Sequence, residues 1–409
     1  MYTYIILWFK VNSNSDIVIG YGKEEHMSGS IYGNIFSVAT WGESHGRGIG
    51  VVIDGCPSGL MLDEQYIQKY LNRRRPGQSK YATPRKERDQ VQILSGVFEG
   101  LTTGTPISLV VFNEDQRSGD YSNIMNSYRP GHADYCYDQK YGFRDYRGGG
   151  RASGRETIGR VAAGAVASAI LHELGIEVRA YTKAIGPISI DMAKSDISKA
   201  HFSPLFMPDP EASVKAEEFL SRQMDEHNSA GGIIECIVTG MPAGIGDPVF
   251  NKLDAALARA VMSIGAVKGV EIGDGFASAT LTGAENNDPF RYDESKRLYK
   301  LSNHAGGILG GISDGSEIIL RAAIKPTPSI LKPQLTVNKS KENIEIQVEG
   351  RHDPVVVPRA VVVVESMIAI TLVDQLFLGM TSQLGKIKAF YSMNAQNSVG
   401  QPQPDKSQA

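Results

Sequence analysis

Residues 361–380 form the most apolar stretch of the chain, interrupted by Glu365, Asp374 and Gln375. A membrane helix needs about 20 consecutive apolar residues. Two carboxylates and an amide inside the run point instead to a helix buried in the core of a large domain. A second helix is expected over 156–174, stopped by Gly175. Its small residues (Ala162, Ala163, Gly164, Ala165 and Ala167) imply tight burial. The remaining pattern alternates strand-like and helical runs. Strands are expected over 49–54, 91–98, 107–112, 233–238, 318–323 and 344–348. Further helices are expected over 63–73, with Asp63 as N-cap, and over 212–226 and 252–262.

At 409 residues and 44.3 kDa the chain can build one large domain or two ordinary ones. An echo links its two halves. Ile53-Asp-Gly-Cys-Pro-Ser-Gly-Leu60 matches Val238-Thr-Gly-Met-Pro-Ala-Gly-Ile245 at the aliphatic, Gly, Pro, Gly and aliphatic positions. Each copy follows an apolar strand and precedes a helix. If it is a true repeat rather than coincidence, the chain has two related halves with a ligand site near their seam. Patterned sequence starts after Met27, so residues 1–26 are expected to be a disordered leader or to lie upstream of the natural start at Met27. The polar residues 394–409 are expected to be a disordered tail, leaving 27–393 as the folded domain. Cys56, Cys136 and Cys236 are widely spaced and odd in number, which fits neither a disulfide framework nor a zinc site, and suits a reducing, cytoplasmic compartment. No metal and no membrane partner are expected.

The densest chemistry lies between Tyr128 and Arg160, where seven basic residues, seven glycines and His132 share one stretch. Glycine lets backbone approach a ligand closely, and arginine presents planar, permanently charged forks to phosphate and carboxylate. The sequence Arg147-Gly-Gly-Gly-Arg151 could be a fragment of an RNA-binding element. It is single, though, and runs straight into a helix, which resembles an anion cradle at a helix N-terminus. Net charge is −3 and pI about 6.3, so the basic character is local and no nucleic acid is expected as partner.

Three further segments can do chemistry. In Trp41-Gly-Glu-Ser-His-Gly46, His45 sits between a hydroxyl and a glycine, where it could donate a proton near neutral pH or simply satisfy turn backbone. The spacing is not that of a serine-hydrolase elbow. Arg73-Arg-Arg-Pro-Gly-Gln-Ser-Lys80 ends a helix with basic residues that could favour its dipole or deliver Arg74 and Lys80 to a phosphate. Near the C-terminus stand the glycine-rich 303–311, Lys325-Pro-Thr-Pro-Ser329 and Arg351-His-Asp-Pro354. The last is weak alone and is equally explained by a turn.

Taken jointly and in order, these segments resemble the chorismate synthase family over about residues 28–388. The resemblance rests on Gly42-Glu-Ser-His-Gly46, Gly150-Arg-Ala-Ser-Gly-Arg-Glu156 and Arg351-His-Asp-Pro354 with its following helix. Arg73-Arg-Arg-Pro-Gly77 and Arg129-Pro-Gly-His-Ala-Asp134 lie between them. It implies an α/β (α+β) fold: one large domain whose helices and sheets are layered in a β-α-β sandwich. It also implies an anti 1,4-elimination that converts 5-enolpyruvylshikimate 3-phosphate to chorismate and phosphate with reduced FMN, and a homotetramer. NADPH would serve only in members that reduce their own flavin. A substrate with one phosphate and two carboxylates fits a local arginine cluster, since charge-assisted hydrogen bonds are worth about 1.5–3 kcal/mol each.

By matching positions, His45 would protonate the departing phosphate, His132 would lie against the reduced flavin, and Asp353 would assist proton removal there. Ser44, Arg74, Lys80, Arg129, Arg155 and Arg351 would hold substrate. Arg151, Ala152, Ser153, Gly265, Ala266, Gly310, Lys325, Pro326, Thr327, Pro328, Ser329 and Arg351 would line the flavin site. Lys80 stands where the family often has arginine, which keeps charge and loses the bidentate fork. Ala152, Gly154 and Gly265 also depart from commoner residues, and Ser329 is a position occupied by Ser or Thr. Two other readings are a flavin-independent lyase or transferase on a phosphorylated acid, separated by flavin binding, and an RNA-binding module, which predicts steeply salt-dependent RNA affinity.

Overall fold

The computed structural model describes residues 29–83, 87–114, 125–348 and 353–395, together with the backbone of Ile6–Val11 and Ile17–Gly22, which pair antiparallel with each other. The expectations for the rest of the leader, for Arg351 and for residues 396–409 fall outside the described residues.

The first half supplies β1 (Ile31–Tyr32), β2 (Ser37–Gly42), β3 (Gly48–Asp54), α1 (Glu64–Arg74), β4 (Val91–Ser95), β5 (Ile107–Phe112) and α2 (Thr157–Glu173). The second supplies β6 (Glu177–Ile185), β7 (Ile188–Ser189), β8 (Gly232–Thr239), α3 (Leu253–Met262), β9 (Val267–Ile272), β10 (Ile318–Ile324) and α4 (Val357–Gly379). Both sheets have five strands, in the orders β1-β2-β3-β5-β4 and β7-β6-β8-β10-β9, and every pairing is antiparallel. Apart from the edge strands, where β1 precedes β2 but β7 follows β6, the other four strands keep one order in both sheets, so the echo marks a real repeat: strand, strand, helix, strand, strand, helix. Its third residues, Gly55 and Gly240, both have φ of +78°, and each faces a backbone carbonyl that a side chain would strike.

Alternation along β3 sends Ile49, Val51 and Ile53 inward, and along β8 sends Ile234, Cys236 and Val238 inward, so each sheet turns one apolar face to the helices. α1 and α2 pack on the first sheet, α3 and α4 on the second, and α2 and α4 against each other, forming a sheet–helix–sheet sandwich. α4 is long and apolar enough to cross a membrane, yet it is almost wholly buried between the layers. The carboxylates that break its apolar run are paired. Glu365 takes both guanidinium nitrogens of Arg73 at 2.8 and 2.7 Å, and Asp374 accepts the backbone N–H groups of Asn34, Ile35 and Phe36.

Local signals explain most boundaries. Asp63 caps α1 by accepting from Tyr66 N at 2.7 Å. Asp209 caps the helix Pro210–Asp225, which therefore starts two residues before the expected 212. The strand expected over 91–98 breaks at Gly96, where φ is +83°, and Val97–Phe98 pairs with Leu101–Thr102 instead. The strand expected over 344–348 is Asn343–Ile346, paired only with Gln334–Val337 outside both sheets.

Candidate active site

One side of the sandwich gathers the loops that precede and follow the core helices. His45 sits in the turn between β2 and β3, closed by Gly46 N–H donating to the Glu43 carbonyl at 3.1 Å. The buried Ser44 hydroxyl lies 3.1 Å from His45 Nδ1, donating to a bare Nδ1 and accepting from a protonated one. Gly148 closes over this pair. A Cβ there would stand 2.6 Å from His45 Nδ1 and 2.8 Å from Ser44 Oγ, and its φ of +78° suits glycine alone.

Arg129 reaches across to the Gly148 carbonyl at 3.1 Å while its other donors hold the buried Asp134 at 2.8 Å. Burial raises the Asp134 carboxyl, but the hydrogen bonds and charge of Arg129, joined by Arg144, outweigh it and hold the group below the usual carboxylate range. Three residues on, His132 Nδ1 is 3.1 Å from the Pro130 carbonyl, which can only accept, so Nδ1 carries the proton. Its Nε2 lies 2.9 Å from Ser329 Oγ. The 325–329 segment is fastened to the same loop by Lys325 Nζ donating to the Gly131 carbonyl at 2.7 Å. Ser229 then holds the Thr327 carbonyl at 2.7 Å, and Ala230 N–H donates to the Pro354 carbonyl at 2.9 Å, which brings in Asp353.

Asp353 accepts from Thr83 N–H at 2.8 Å and from Arg359 at 2.6 Å. Arg359 also donates to the Arg74 carbonyl at 3.1 Å. The Arg74 guanidinium is buried and donates to Thr157 Oγ1, Asp89 and the Gly154 carbonyl at 2.8 to 3.0 Å. Arg155 is buried beside it, 3.1 Å from Asp89, and donates to Asn113 Oδ1. Asn113 returns to the His45 turn by donating to the Glu43 and Gly46 carbonyls. The contacts close into a circuit around the short turns Gly150–Ala152 and Gly154–Glu156 that open α2.

The circuit brings together Ser44, His45, Arg74, Arg129, His132, the 151–155 segment, the 325–329 segment and Asp353. Arg160 ties in the turn bearing Gly265 and Ala266 through Ser263, at 2.6 Å, and Lys325 N–H donates to the Ala266 carbonyl at 2.9 Å. Two expected residues stand apart. Lys80 is exposed with its ammonium 4.9 Å from the Tyr81 ring centroid. Gly310 lies on the hairpin tip beside the start of α3, where Gly311 accepts from Leu253 N–H. Gly265 and Ala266 follow the other end of that helix, about 15 Å away for ten residues.

The arginines expected to clamp substrate also bind within the protein. Arg74, Arg129 and Arg155 give donors to Thr157, Asp89, Asp134, Asn113 and backbone carbonyls, and so fix the loops. Arg151 and Lys325 are held by neutral groups: Thr40 and the Gly42 carbonyl for Arg151, the Gly131 carbonyl for Lys325. Their charge is not cancelled by a contacting carboxylate among the described residues and is available to an anion. Asn113, Asp89, Thr83, Arg359 and Ser229 belong to the circuit without any motif to announce them, and Asp134 lay unassigned inside a quoted one. Among the described residues no cluster of His, Cys, Asp or Glu could hold a metal ion.

The loops also fit a flavin. Side chains built at Gly150, Gly154 and Gly265 would meet nothing within 4 Å, so open space adjoins these backbones. In the 325–329 segment, Thr327 Oγ1 is buried with no hydrogen-bond partner among the described residues, a donor able to meet an acceptor.

Residues 36–377 match the family model for chorismate synthase. The chain belongs to the chorismate synthase family. It is 66% identical over 365 residues to the chorismate synthase of Lachnoclostridium phytofermentans, covering 89% of this chain and 100% of that one. With the chorismate synthase of Lachnospira eligens it shares 63% identity over the same spans. A chorismate synthase crystal structure superposes with a TM-score of 0.68 at 30% identity, over 90% of this chain and 99% of the other. The chain is thus a lyase that converts 5-enolpyruvylshikimate 3-phosphate to chorismate and phosphate by 1,4-elimination, the last step of the shikimate pathway to aromatic amino acids. The chorismate synthase family uses reduced flavin.

Proposed function

We propose that His45, His132 and Asp353 carry the elimination, each held in the circuit that surrounds the start of α2. His45 gives a proton to the departing phosphate. As the acid the ring carries both protons, Nδ1–H donating to Ser44 Oγ, and the proton on Nε2 is the one it gives, leaving the neutral imidazole. Arg151 and Lys325 draw the substrate, with its phosphate and two carboxylates, by their uncancelled charge, and Lys80 adds charge from the rim. Arg74, Arg129 and Arg155 keep the loops in register, and Arg351 completes the basic set. When bound, reduced FMN supplies electron density for cleavage of the allylic C–O bond and regains it as the proton leaves. Arg151, Ala152, Ser153, Gly265, Ala266 and the 325–329 segment would hold it. His132 would lie against it, and Asp353 would take part in removing the proton. Gly310 joins only across the length of α3.

The carrying observation is the closed circuit, because it draws five separate loops around one helix start. The protein acts in the cytoplasm as a homotetramer, and NADPH enters only if the protein reduces its own flavin. The test is an anaerobic assay with chemically reduced FMN and 5-enolpyruvylshikimate 3-phosphate, following chorismate absorbance and phosphate together. Equal yields of both, lost with oxidised FMN, are expected. Folded protein giving no product would defeat the reading. NADPH with oxidised FMN in the same cell reports self-reduction.

A further inference from the structure

We propose that Asn113 is a positioning residue for His45; this rests on the assignment of His45 as the acid. Asn113 follows the last residue of β5, and two of its groups make three hydrogen bonds to the 43–47 segment. Its backbone N–H donates to the Arg47 carbonyl at 3.1 Å. Its side-chain Nδ2 donates to the carbonyls of Glu43 at 3.1 Å and Gly46 at 2.8 Å. Its Oδ1 accepts two bonds from Arg155, at 3.0 and 2.6 Å. The orientation of the amide follows from its neighbours, since the reverse would face an oxygen to two carbonyls and an NH2 to a guanidinium.

Both carbonyls bracket the turn that carries His45 as its third residue, so one side chain fixes both ends of the segment bearing the imidazole. The grip is itself anchored. Arg155 is backed by Asp89 at 3.1 Å and Glu87 at 3.6 Å, and Glu87 accepts Glu114 N–H at 3.1 Å, next to Asn113. Arg155, Asp89 and Glu87 are all buried. Without the amide, the turn loses both hydrogen bonds from the Asn113 side chain, to the Glu43 and Gly46 carbonyls. Gly148, packed on His45 and Ser44, leaves little room for a displaced ring to stay productive.

Asn113→Asp is the discriminating change. A carboxylate still pairs with Arg155, so the buried frame survives, while an acceptor now faces two carbonyls and the turn is released. In the anaerobic assay, N113D should lower kcat by about 10–100-fold, the scale of a 1 Å misplacement, with KM for substrate little changed. The melting temperature should stay within a few degrees of the parent. In an H45A background the same change should cost less than about twofold, because the group it positions is gone. If N113D does not fold, Asn113→Ser carries the same cycle. An undiminished kcat, or an equal loss with and without His45, overturns the proposal. Wild-type turnover by H45A alone overturns the acid assignment and this proposal together.

Discussion

Asp353 accepts from the Thr83 amide and from Arg359, and Arg359 in turn holds the Arg74 carbonyl, so one carboxylate joins three loops. Asp353→Asn leaves one oxygen for two donors and removes the charge. We expect turnover to drop by about 10²-fold or more, as for loss of a proton-transfer group. The FMN dissociation constant, read from fluorescence quenching, should move much less, and an equal loss of flavin binding would mark Asp353 as structural. At this scale His45, His132 and Asp353 were readable because each stands in a motif whose neighbours are glycine, proline or arginine. The fate of the arginines was not. Arg74 and Arg129 look alike in sequence to a free phosphate clamp, and only their burial beside Asp89 and Asp134 shows them committed. Asn113 is invisible for the opposite reason, being a lone polar residue after a strand.

Where α2 and α4 cross, Gly164 has no room for a side chain: a Cβ would lie 2.2 Å from Ser366 Cβ. Two terms oppose each other in Gly164→Ala. Helix propensity favours alanine by roughly 0.5–1 kcal/mol, whereas forcing packed helices apart typically costs about 1–3 kcal/mol. The clash should win, so G164A should melt lower than the parent, and Ser366→Gly in the same chain should recover part of the loss. A melting temperature equal to or above the parent would show that the helices can separate freely. The tight burial of α2 was legible from its run of small residues, and that of α4 from a run too often charged for a membrane. Strand ends were less legible, because Gly96 interrupts an apolar run by its positive φ and not by its hydropathy.

Across the whole molecule the two halves differ in the lengths of the joins between matching strands. Residues 43–47 correspond to 186–231, which carry β7 and the helix Pro210–Asp225, and the short hairpin of 96–106 corresponds to a long excursion over 273–317. Those insertions explain why the repeat surfaced in sequence only as an eight-residue echo: topology is kept while spacing is not. The excursion is fastened by buried charge. Asp288 accepts from Ser302 Oγ, His304 N–H and Ala305 N–H, and Lys300 bridges it to Asp314. Burial opposes ionisation of Asp288, but these donors and Lys300 outweigh it and pull its pKa from 3.8 down to about 2. A carboxyl depressed in the folded state binds its proton more weakly there than in the unfolded chain. Its contribution is therefore complete above the unfolded value near 3.8 and is lost as pH falls toward about 2. Urea midpoints followed by fluorescence at pH 6, 4 and 3 should fall for the parent across the last step. Asp288→Asn should start lower at pH 6 and fall less from pH 4 to 3. Parallel declines in the two proteins would mean that the excursion is not held by the ionised carboxylate.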